Sequence, residues 1–218
     1  MVRTTAAAGT VPELGRREAE RLGQHYIGPE HLLLGLLVEA DNAAAALLRA
    51  HGLDLATVRT EVDRLVAQGV LPSPRPSDAG LLATLGIDLE AVARRVREDF
   101  GGDAYYEAAQ EVRLRPTNRV PHAPLGGTPL TCVRALRLAA REASARGQQL
   151  GPLHLLLGLL LDAQDPVETD MPPEERRLRG QLGLPDHGAH PVRLLVEARG
   201  VSLEQLRVAV RGGLETSR

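Results

Sequence analysis

A ten-residue segment that occurs twice limits the possible folds of this chain more than any other feature. Residues 28–37 read GPEHLLLGLL and residues 151–160 read GPLHLLLGLL, so nine of the ten positions are identical. We call these two copies the signature segments. Such a repeat indicates that each copy belongs to one supersecondary unit. Pro after Gly suits the first turn of a helix, and the apolar run without a polar side predicts a helix buried among others. The run is shorter than the ~20 residues that span a bilayer.

The composition argues against several functional classes. The net charge of −2 creates no strong field for nucleic acid, and the four aromatic residues leave little surface for base stacking. Cys132 is the single cysteine, so the sequence predicts neither an intramolecular disulfide nor a cysteine zinc site, and we expect Cys132 to be buried at a helix start. The first residues lack the pattern of a signal peptide, and we expect a cytoplasmic protein.

The first signature segment lies in a predicted unit of four helices, residues 10–72. Thr10-Val11-Pro12-Glu13 has the form of a capping box, which predicts a first helix from about Val11 and a flexible N-terminus over residues 1–9. Asp41 or Asn42 is expected to cap the third helix, and Asp54 to cap the fourth. The predicted helices cover about residues 11–22, 29–40, 43–50 and 55–67.

A partial copy of this unit follows at residues 73–101. Residues 79–89 resemble residues 45–55, which indicates that only the last two helices of the unit are repeated. Such a fragment cannot bury its apolar face alone, so we expect it to pack on a neighbouring unit or on a partner chain. Residues 102–127 are rich in Pro and Gly and are predicted to be a linker.

The second complete unit is predicted at residues 128–215. Its first helix is expected over about residues 129–146, and the second signature segment begins a helix at Pro152. An acidic, Pro-rich inserted loop is predicted at residues 162–191, and Ser202 is the expected N-cap of the last helix, about residues 203–211. Within the insertion, Asp186-His187-x-x-His190 has metal-ligand spacing, but the sequence favours an ordinary polar loop.

The signature segments and the residues before them, Arg21-Leu22-Gly23-Gln24, closely resemble the repeat of the Clp ATPase N-terminal domain. The resemblance covers residues 10–67 and 128–213, with Pro29 in the place of the usual Thr. It implies an all-α fold of two four-helix repeats related by pseudo-two-fold symmetry, here with an extra two-helix fragment. The ATPase modules of that family carry a phosphate-binding loop with a Lys, and these 218 residues contain no Lys. The resemblance therefore implies a non-catalytic, stand-alone N-domain-like protein.

The resemblance also implies a site for arginine-phosphorylated peptides. It places a guanidinium-binding carboxylate at Glu30, whereas the second copy has Leu153 at that position. It places a phosphate-holding Thr at Thr128 in the second copy, and at Thr4, Thr5 or Thr10 in the first. An alternative for Glu30 is a carboxylate that only stabilises the helix N-terminus. His31 and His154 are expected to be structural, each hydrogen-bonded to a neighbouring loop.

Three functions remain open at this point. The first is an accessory, adaptor or decoy protein that binds substrates, adaptors or the AAA+ unfoldase of a Clp protease system. The second is a protein that sequesters a cyclic-peptide antibiotic directed against Clp N-domains. The third is a ligand-free homodimeric scaffold assembled through residues 79–99. We expect no cofactor, no metal, no enzymatic activity, and neither nucleic acid nor a membrane as partner.

Overall fold

The computed structural model describes residues 3–24, 26–72, 88–100, 130–164, 173, 176–177 and 190–216. The chain divides into two compact units, one formed by Met1–Ser73 with Ala123–Arg218 and the other by Pro74–His122. The named elements of the described ranges are all α-helices. They are α1 (Ala6–Arg21), α2 (Pro29–Val38), α3 (Ala43–Ala50), α4 (Leu55–Ala67), α5 (Leu89–Phe100), α6 (Val133–Ala145), α7 (Pro152–Gln164), α8 (Pro191–Glu197) and α9 (Leu203–Thr216).

The predicted caps of three helices are confirmed. The Asn42 side chain accepts the amide N–H of Ala45 at 2.8 Å, and the Asp54 side chain accepts that of Thr57 at 2.8 Å. Ser202 Oγ accepts the amide N–H of Gln205 at 3.1 Å, while Gln205 Oε1 accepts the amide N–H of Ser202 at 3.2 Å. Each bond satisfies a backbone donor that has no partner within the helix, so the helix starts are fixed locally.

Helix α1 begins earlier than the sequence predicts. Thr5, not Thr10, is the N-cap, and its Oγ1 accepts the amide N–H of Ala8 at 3.2 Å. Thr10 lies inside the helix and its hydroxyl donates to the carbonyl of Ala7 at 2.9 Å, which is how a Thr within a helix satisfies its own donor. The predicted start at Val11 is therefore wrong, and residues 6–9 form the first turns of α1 rather than a flexible segment.

Other helix ends also differ from their predicted positions. Helix α6 begins at Val133 instead of Pro129, and α9 continues to Thr216. Helix α7 continues through Gln164, so the inserted loop does not begin at Asp162. Most of the remaining insertion, residues 165–172, 174–175 and 178–189, lies outside the described residues.

The two repeats, α1–α4 and α6–α9, share one hydrophobic core. The signature helices α2 and α7 lie at its centre: α2 packs against α1, α3 and α4, and α7 packs against α6, α8 and α9. Between the repeats, α2 contacts α8 as α3 contacts α7, and α4 contacts α8 as α3 contacts α9. This reciprocal pattern is the predicted pseudo-two-fold arrangement, formed within one chain.

Glycine allows each signature helix to approach the first helix of its repeat. A Cβ at Gly35 would lie 2.5 Å from the carbonyl oxygen of Val11 and 2.9 Å from the amide nitrogen of Gly15. Gly158 occupies the same place in the second repeat, where a Cβ would lie 2.8 Å from both the Cβ and the amide nitrogen of Ala139. The neighbours include backbone atoms in both repeats, so the helices could accept a larger residue only by moving apart.

Two short parallel contacts join the repeats crosswise. Thr4 pairs with Leu150 and Ile27 pairs with Leu130. In each contact, the segment before the first helix of one repeat meets the segment before the signature helix of the other. The crossed contacts therefore place the start of each repeat beside the signature segment of its partner.

A buried polar cluster closes the base of the insertion. Asp162 is 5% exposed; its Oδ1 lies 2.8 Å from Nη1 of Arg134 and its Oδ2 lies 3.1 Å from Nε2 of His190. His190 Nδ1 accepts the amide N–H of Val192 at 3.2 Å and so caps α8. In the first repeat the cap Asn42 makes the corresponding link, because its amide donates to the carbonyl of Leu36 at 2.8 Å. Both repeats thus hold the start of the third helix against the end of the signature helix.

The partial repeat is represented by α5 alone. Its predicted second helix is confirmed, whereas the predicted first helix and the linker at residues 102–127 lie outside the described residues. On α5, Arg95 Nε lies 3.1 Å from Asp99 Oδ2 in an exposed pair of the i,i+4 type. Such pairs contribute little to stability.

None of the described helices is by itself long and apolar enough to cross a membrane. Helices α2 and α3 together reach the required length and composition, but they bend by 99° at the break between them.

We predict that Gly35→Ala lowers the free energy of unfolding by about 1–3 kcal/mol, because the added methyl group overpacks the contact with α1. The matched control is Gly9→Ala in the exposed part of α1, where a Cβ meets nothing within 4 Å. That control should be neutral or stabilising by up to ~1 kcal/mol, because Ala favours helix over Gly. Urea unfolding of both variants measures the difference, and equal effects would contradict the close approach.

We also predict that Asp162→Asn lowers the free energy of unfolding by about 3 kcal/mol, because it removes a negative charge that pairs with the buried Arg134. Arg17→Gln is the control: Arg17 is 67% exposed in its side chain and pairs with Glu13 only at 3.6 Å. Arg17→Gln should lower the free energy of unfolding by less than about 1 kcal/mol. Similar losses in the two variants would mean that the cluster does not act as a buried pair.

Candidate functional site

Glu30 is a buried carboxylate at the start of signature helix α2. It is 1% exposed, and its Oε1 has no hydrogen-bond partner in the described part of the chain. Nδ1 of His31 lies 3.5 Å from Oε1 of Glu30. The carboxylate lies over Gly28, at a position that a Cβ would occupy in any other residue. The positive end of the helix dipole favours a carboxylate here, but it does not replace a hydrogen-bond donor or a cation.

His31 is uncharged and fixes the turn that carries Glu30. Its Nδ1 accepts the amide N–H of Gly28 at 2.9 Å, so the ring proton is on Nε2. The ring of Tyr26 meets the imidazole edge-on, with centroids 5.3 Å apart. Burial lowers the pKa of His31, although the neighbouring charge of Glu30 acts in the opposite direction. The predicted structural role of His31 is confirmed by this bond to the preceding loop.

The second repeat repeats the histidine but not the carboxylate. His154 Nδ1 accepts the amide N–H of Gly151 at 3.1 Å, as His31 does from Gly28. Leu153 occupies the position of Glu30; it is 7% exposed, and its Cδ1 would lie 3.3 Å from a Cβ at Gly213 of α9. The predicted loss of the carboxylate in this copy therefore coincides with apolar packing.

The threonines beside the two signature segments come from the opposite repeats. Thr5 donates its amide N–H to the carbonyl of Leu150 at 3.0 Å, and Thr131 donates its amide N–H to that of Ile27 at 2.9 Å. The hydroxyls approach the same two carbonyls, at 3.3 Å and 3.4 Å. Glu30 is therefore accompanied by Thr131, and Leu153 by Thr5.

This arrangement adds one threonine to those expected from the sequence. Among Thr4, Thr5 and Thr10, the bonding pattern singles out Thr5 in the first repeat. Its counterpart is Thr131, which the sequence analysis missed, while the predicted Thr128 lies outside the described residues. Thr131 belongs to no local motif, and only its contact with Ile27, far away in sequence, identifies it.

Glu18 is a buried carboxylate whose charge is balanced by two arginines. It is 5% exposed, and Nε of Arg21 and Nε of Arg59 each lie 3.0 Å from its Oε2. Burial raises its pKa, but the hydrogen bonds from Arg59 and Arg21 outweigh burial and hold the pKa below the ordinary value. Glu18 joins α1 to α4 and is already occupied, which distinguishes it from Glu30.

The described residues include no group of three or more His, Cys, Asp or Glu side chains that could hold a metal ion. His190, the last residue of the possible metal motif, instead contacts Asp162 and caps α8. Asp186 and His187 lie outside the described residues. Cys132 is fully buried at the N-cap of α6, as expected from the sequence.

The first repeat is similar to segments of known proteins. Residues 4–85 match the profile of the Clp repeat (R) N-terminal domain. The chaperone protein ClpC of Pisum sativum chloroplasts is 48% identical over 112 residues, which is 51% of this chain and 11% of that protein. The ATP-dependent Clp protease ATP-binding subunit ClpA homolog of Guillardia theta is 52% identical over 62 residues, 28% of this chain and 8% of that protein. The chain thus spans about a tenth of the length of these relatives.

A solved structure shows the same fold. The N-terminal domain of the caseinolytic protease associated chaperone ClpD from Arabidopsis thaliana aligns with a TM-score of 0.51. The alignment covers 98% of this chain and 95% of that one at 15% sequence identity. This likeness supports the all-α architecture inferred from the signature segments.

We predict that the protein loses stability as the pH falls below about 6.5, the ordinary pKa of His. Burial lowers the pKa values of His31 and His154, so the unfolded chain binds protons that the folded chain resists. The stabilisation is present above the unfolded pKa and is lost as the pH falls through the folded pKa. Urea unfolding at pH 7 and pH 5 should show a smaller loss in His31→Gln than in the original protein. An equal loss would contradict the buried neutral state of His31.

Proposed function

We propose, from the match of residues 4–85 to the Clp repeat (R) N-terminal domain, that the chain is a docking module of a Clp unfoldase–protease system. The module binds client proteins, adaptors or the unfoldase itself and performs no catalysis. The start of α2 is the part of the structure that best supports this binding role.

The single observation that carries the proposal is the uncompensated carboxylate of Glu30. Buried charges in proteins are normally paired, yet Oε1 of Glu30 has no hydrogen-bond partner in the described residues, and the neighbouring His31 is neutral. A guanidinium group supplies both the charge and the N–H donors that a carboxylate requires. We therefore propose that Glu30 receives the arginine side chain of a client, phosphorylated or not.

The surroundings of Glu30 suit a phosphorylated guanidinium as well. Amide N–H groups at a helix start bind phosphate, and Glu30 lies in the first turn of α2. The hydroxyl of Thr131 lies next to this turn, at 3.4 Å from the carbonyl of Ile27. Because Glu30 is 1% exposed, binding requires the segment before α2 to move away from the carboxylate.

The module has one such site, not two. In the second repeat Leu153 replaces the carboxylate and packs towards α9. An apolar side chain offers no compensation for a cation, so the half formed by Leu153 and Thr5 should not receive arginine. We propose that client recognition is concentrated at Glu30 and Thr131.

Neither alternative function gains a supporting observation. A sequestered cyclic peptide requires a continuous apolar surface, but the exposed large hydrophobic residues of the described chain, Val70, Val92 and Val208, belong to three different segments. The scaffold hypothesis depends on residues 79–99, of which residues 79–87 lie outside the described ranges.

We predict that free phospho-arginine binds with a stoichiometry of one per chain and that Glu30→Gln removes binding, because Gln carries no negative charge. Calorimetric titration measures both quantities. Glu39→Gln is the matched control, since Glu39 is a half-buried carboxylate just beyond the other end of α2, and it should bind like the original protein. Binding that survives in Glu30→Gln would contradict the assignment of Glu30.

We also predict that the purified chain retains a Clp unfoldase, an adaptor or a client protein from native lysate, with less retained by Glu30→Gln. Mass spectrometry of the eluate identifies the captured proteins. Capture that is free of any Clp component or client protein would contradict the docking function even if phospho-arginine binds.

A further inference from the structure

Each repeat has a glutamine in the loop before its signature helix. Gln24 follows Gly23 and Gln148 follows Gly147, in the loop before each signature helix. Gln24 donates from Nε2 to the carbonyl of Pro72 at 2.7 Å, and Gln148 donates from Nε2 to the carbonyl of Leu214 at 3.3 Å. Both contacts tie the loop to the end of its own repeat. Because a carbonyl only accepts, each amide has its Oε1 left as an acceptor on the other side.

The histidines supply the complementary donor. Nδ1 of His31 and Nδ1 of His154 each accept a backbone N–H, so each ring carries its proton on Nε2. In the second repeat the Nε2–H of His154 donates to Oε1 of Gln148, at a distance of 3.1 Å. The loop and the signature helix of the second repeat are therefore joined by a direct hydrogen bond between the two side chains.

The first repeat contains the same donor and acceptor without the bond. Oε1 of Gln24 and Nε2 of His31 are both buried, and neither has a hydrogen-bond partner in the described chain. The loop is longer here: four residues separate Gly23 from Gly28, whereas three separate Gly147 from Gly151. The direct bond therefore occurs in the repeat that has the shorter loop.

We infer that a single buried water molecule bridges Gln24 and His31 in the first repeat. A buried donor and a buried acceptor both require a partner, and only a group that accepts and donates at the same time satisfies the two together. Water does so: it accepts from Nε2–H of His31 and donates to Oε1 of Gln24. A buried polar site with two partners is the kind that retains an internal water.

This hydration site goes beyond the proposed docking function and stands without it. It predicts that the glutamine and the histidine are joined by a direct hydrogen bond in the second repeat and through an exchangeable water molecule in the first. The second repeat serves as the internal control, because the same histidine and glutamine occur there in the same roles.

Nuclear magnetic resonance of protein labelled with ¹⁵N at histidine tests the inference. The ring protons on Nε2 of His31 and His154 should both be observable. A rotating-frame Overhauser experiment should show a contact between water and the His31 proton, with the sign of dipolar contact, and none for the His154 proton. Tyr26→Phe should retain the contact, which excludes relay through the tyrosine hydroxyl. No water contact at His31, or equal contacts at both histidines, would overturn the inference.

A crystal structure of the original protein gives an independent test that needs no variant. The expected result is one density peak at hydrogen-bond distance, about 3 Å, from both Oε1 of Gln24 and Nε2 of His31. A direct bond between the two side chains, or a dry gap between them, would overturn the inference. Deleting His25 shortens the loop to the length found in the second repeat, and the direct bond should then form and the water contact disappear.

Discussion

The close crossing of each signature helix with the first helix of its repeat is the contact on which the rest of the structure depends. At Gly35 the two backbones approach so closely that a Cβ would lie 2.5 Å from the carbonyl of Val11, and Gly158 repeats the contact. This approach places the signature helix at the centre of its repeat, surrounded on all sides. The absence of a polar face in the signature segments is the consequence, because every direction around the helix is protein.

Much of this fold could be predicted because its determinants are local. The repeated segment indicates two units, and Asn42, Asp54 and Ser202 fix helix starts through bonds within four residues. The sequence alone does not fix the start of the first helix, because Thr5 and Thr10 have the same capping chemistry and only Thr5 makes the contact with Leu150. The signature segment indicates Glu30 from the sequence, but nothing local indicates Thr131, because a distant backbone contact with Ile27 places it beside this segment.

The two repeats share one architecture and have diverged in their polar groups. The first keeps a carboxylate at the start of its signature helix and has a longer preceding loop. The second has Leu153 in that place, closes its loop with a direct bond between Gln148 and His154, and carries the insertion. The buried pair of Asp162 with His190 preserves the turn across that insertion. The start of one signature helix thus carries a buried carboxylate, and the start of the other carries an apolar side chain.

The central claim is that recognition takes place at one of the two related sites. Amide chemical shifts recorded during a titration with phospho-arginine test it most directly, because both sites are observed in one sample. We predict shifts of the amides of Gly28, Glu30, His31 and Thr131, while the amides of Gly151, Leu153, His154 and Thr5 remain unchanged. Equal shifts at both sites, or shifts confined to residues 151–154, would contradict it.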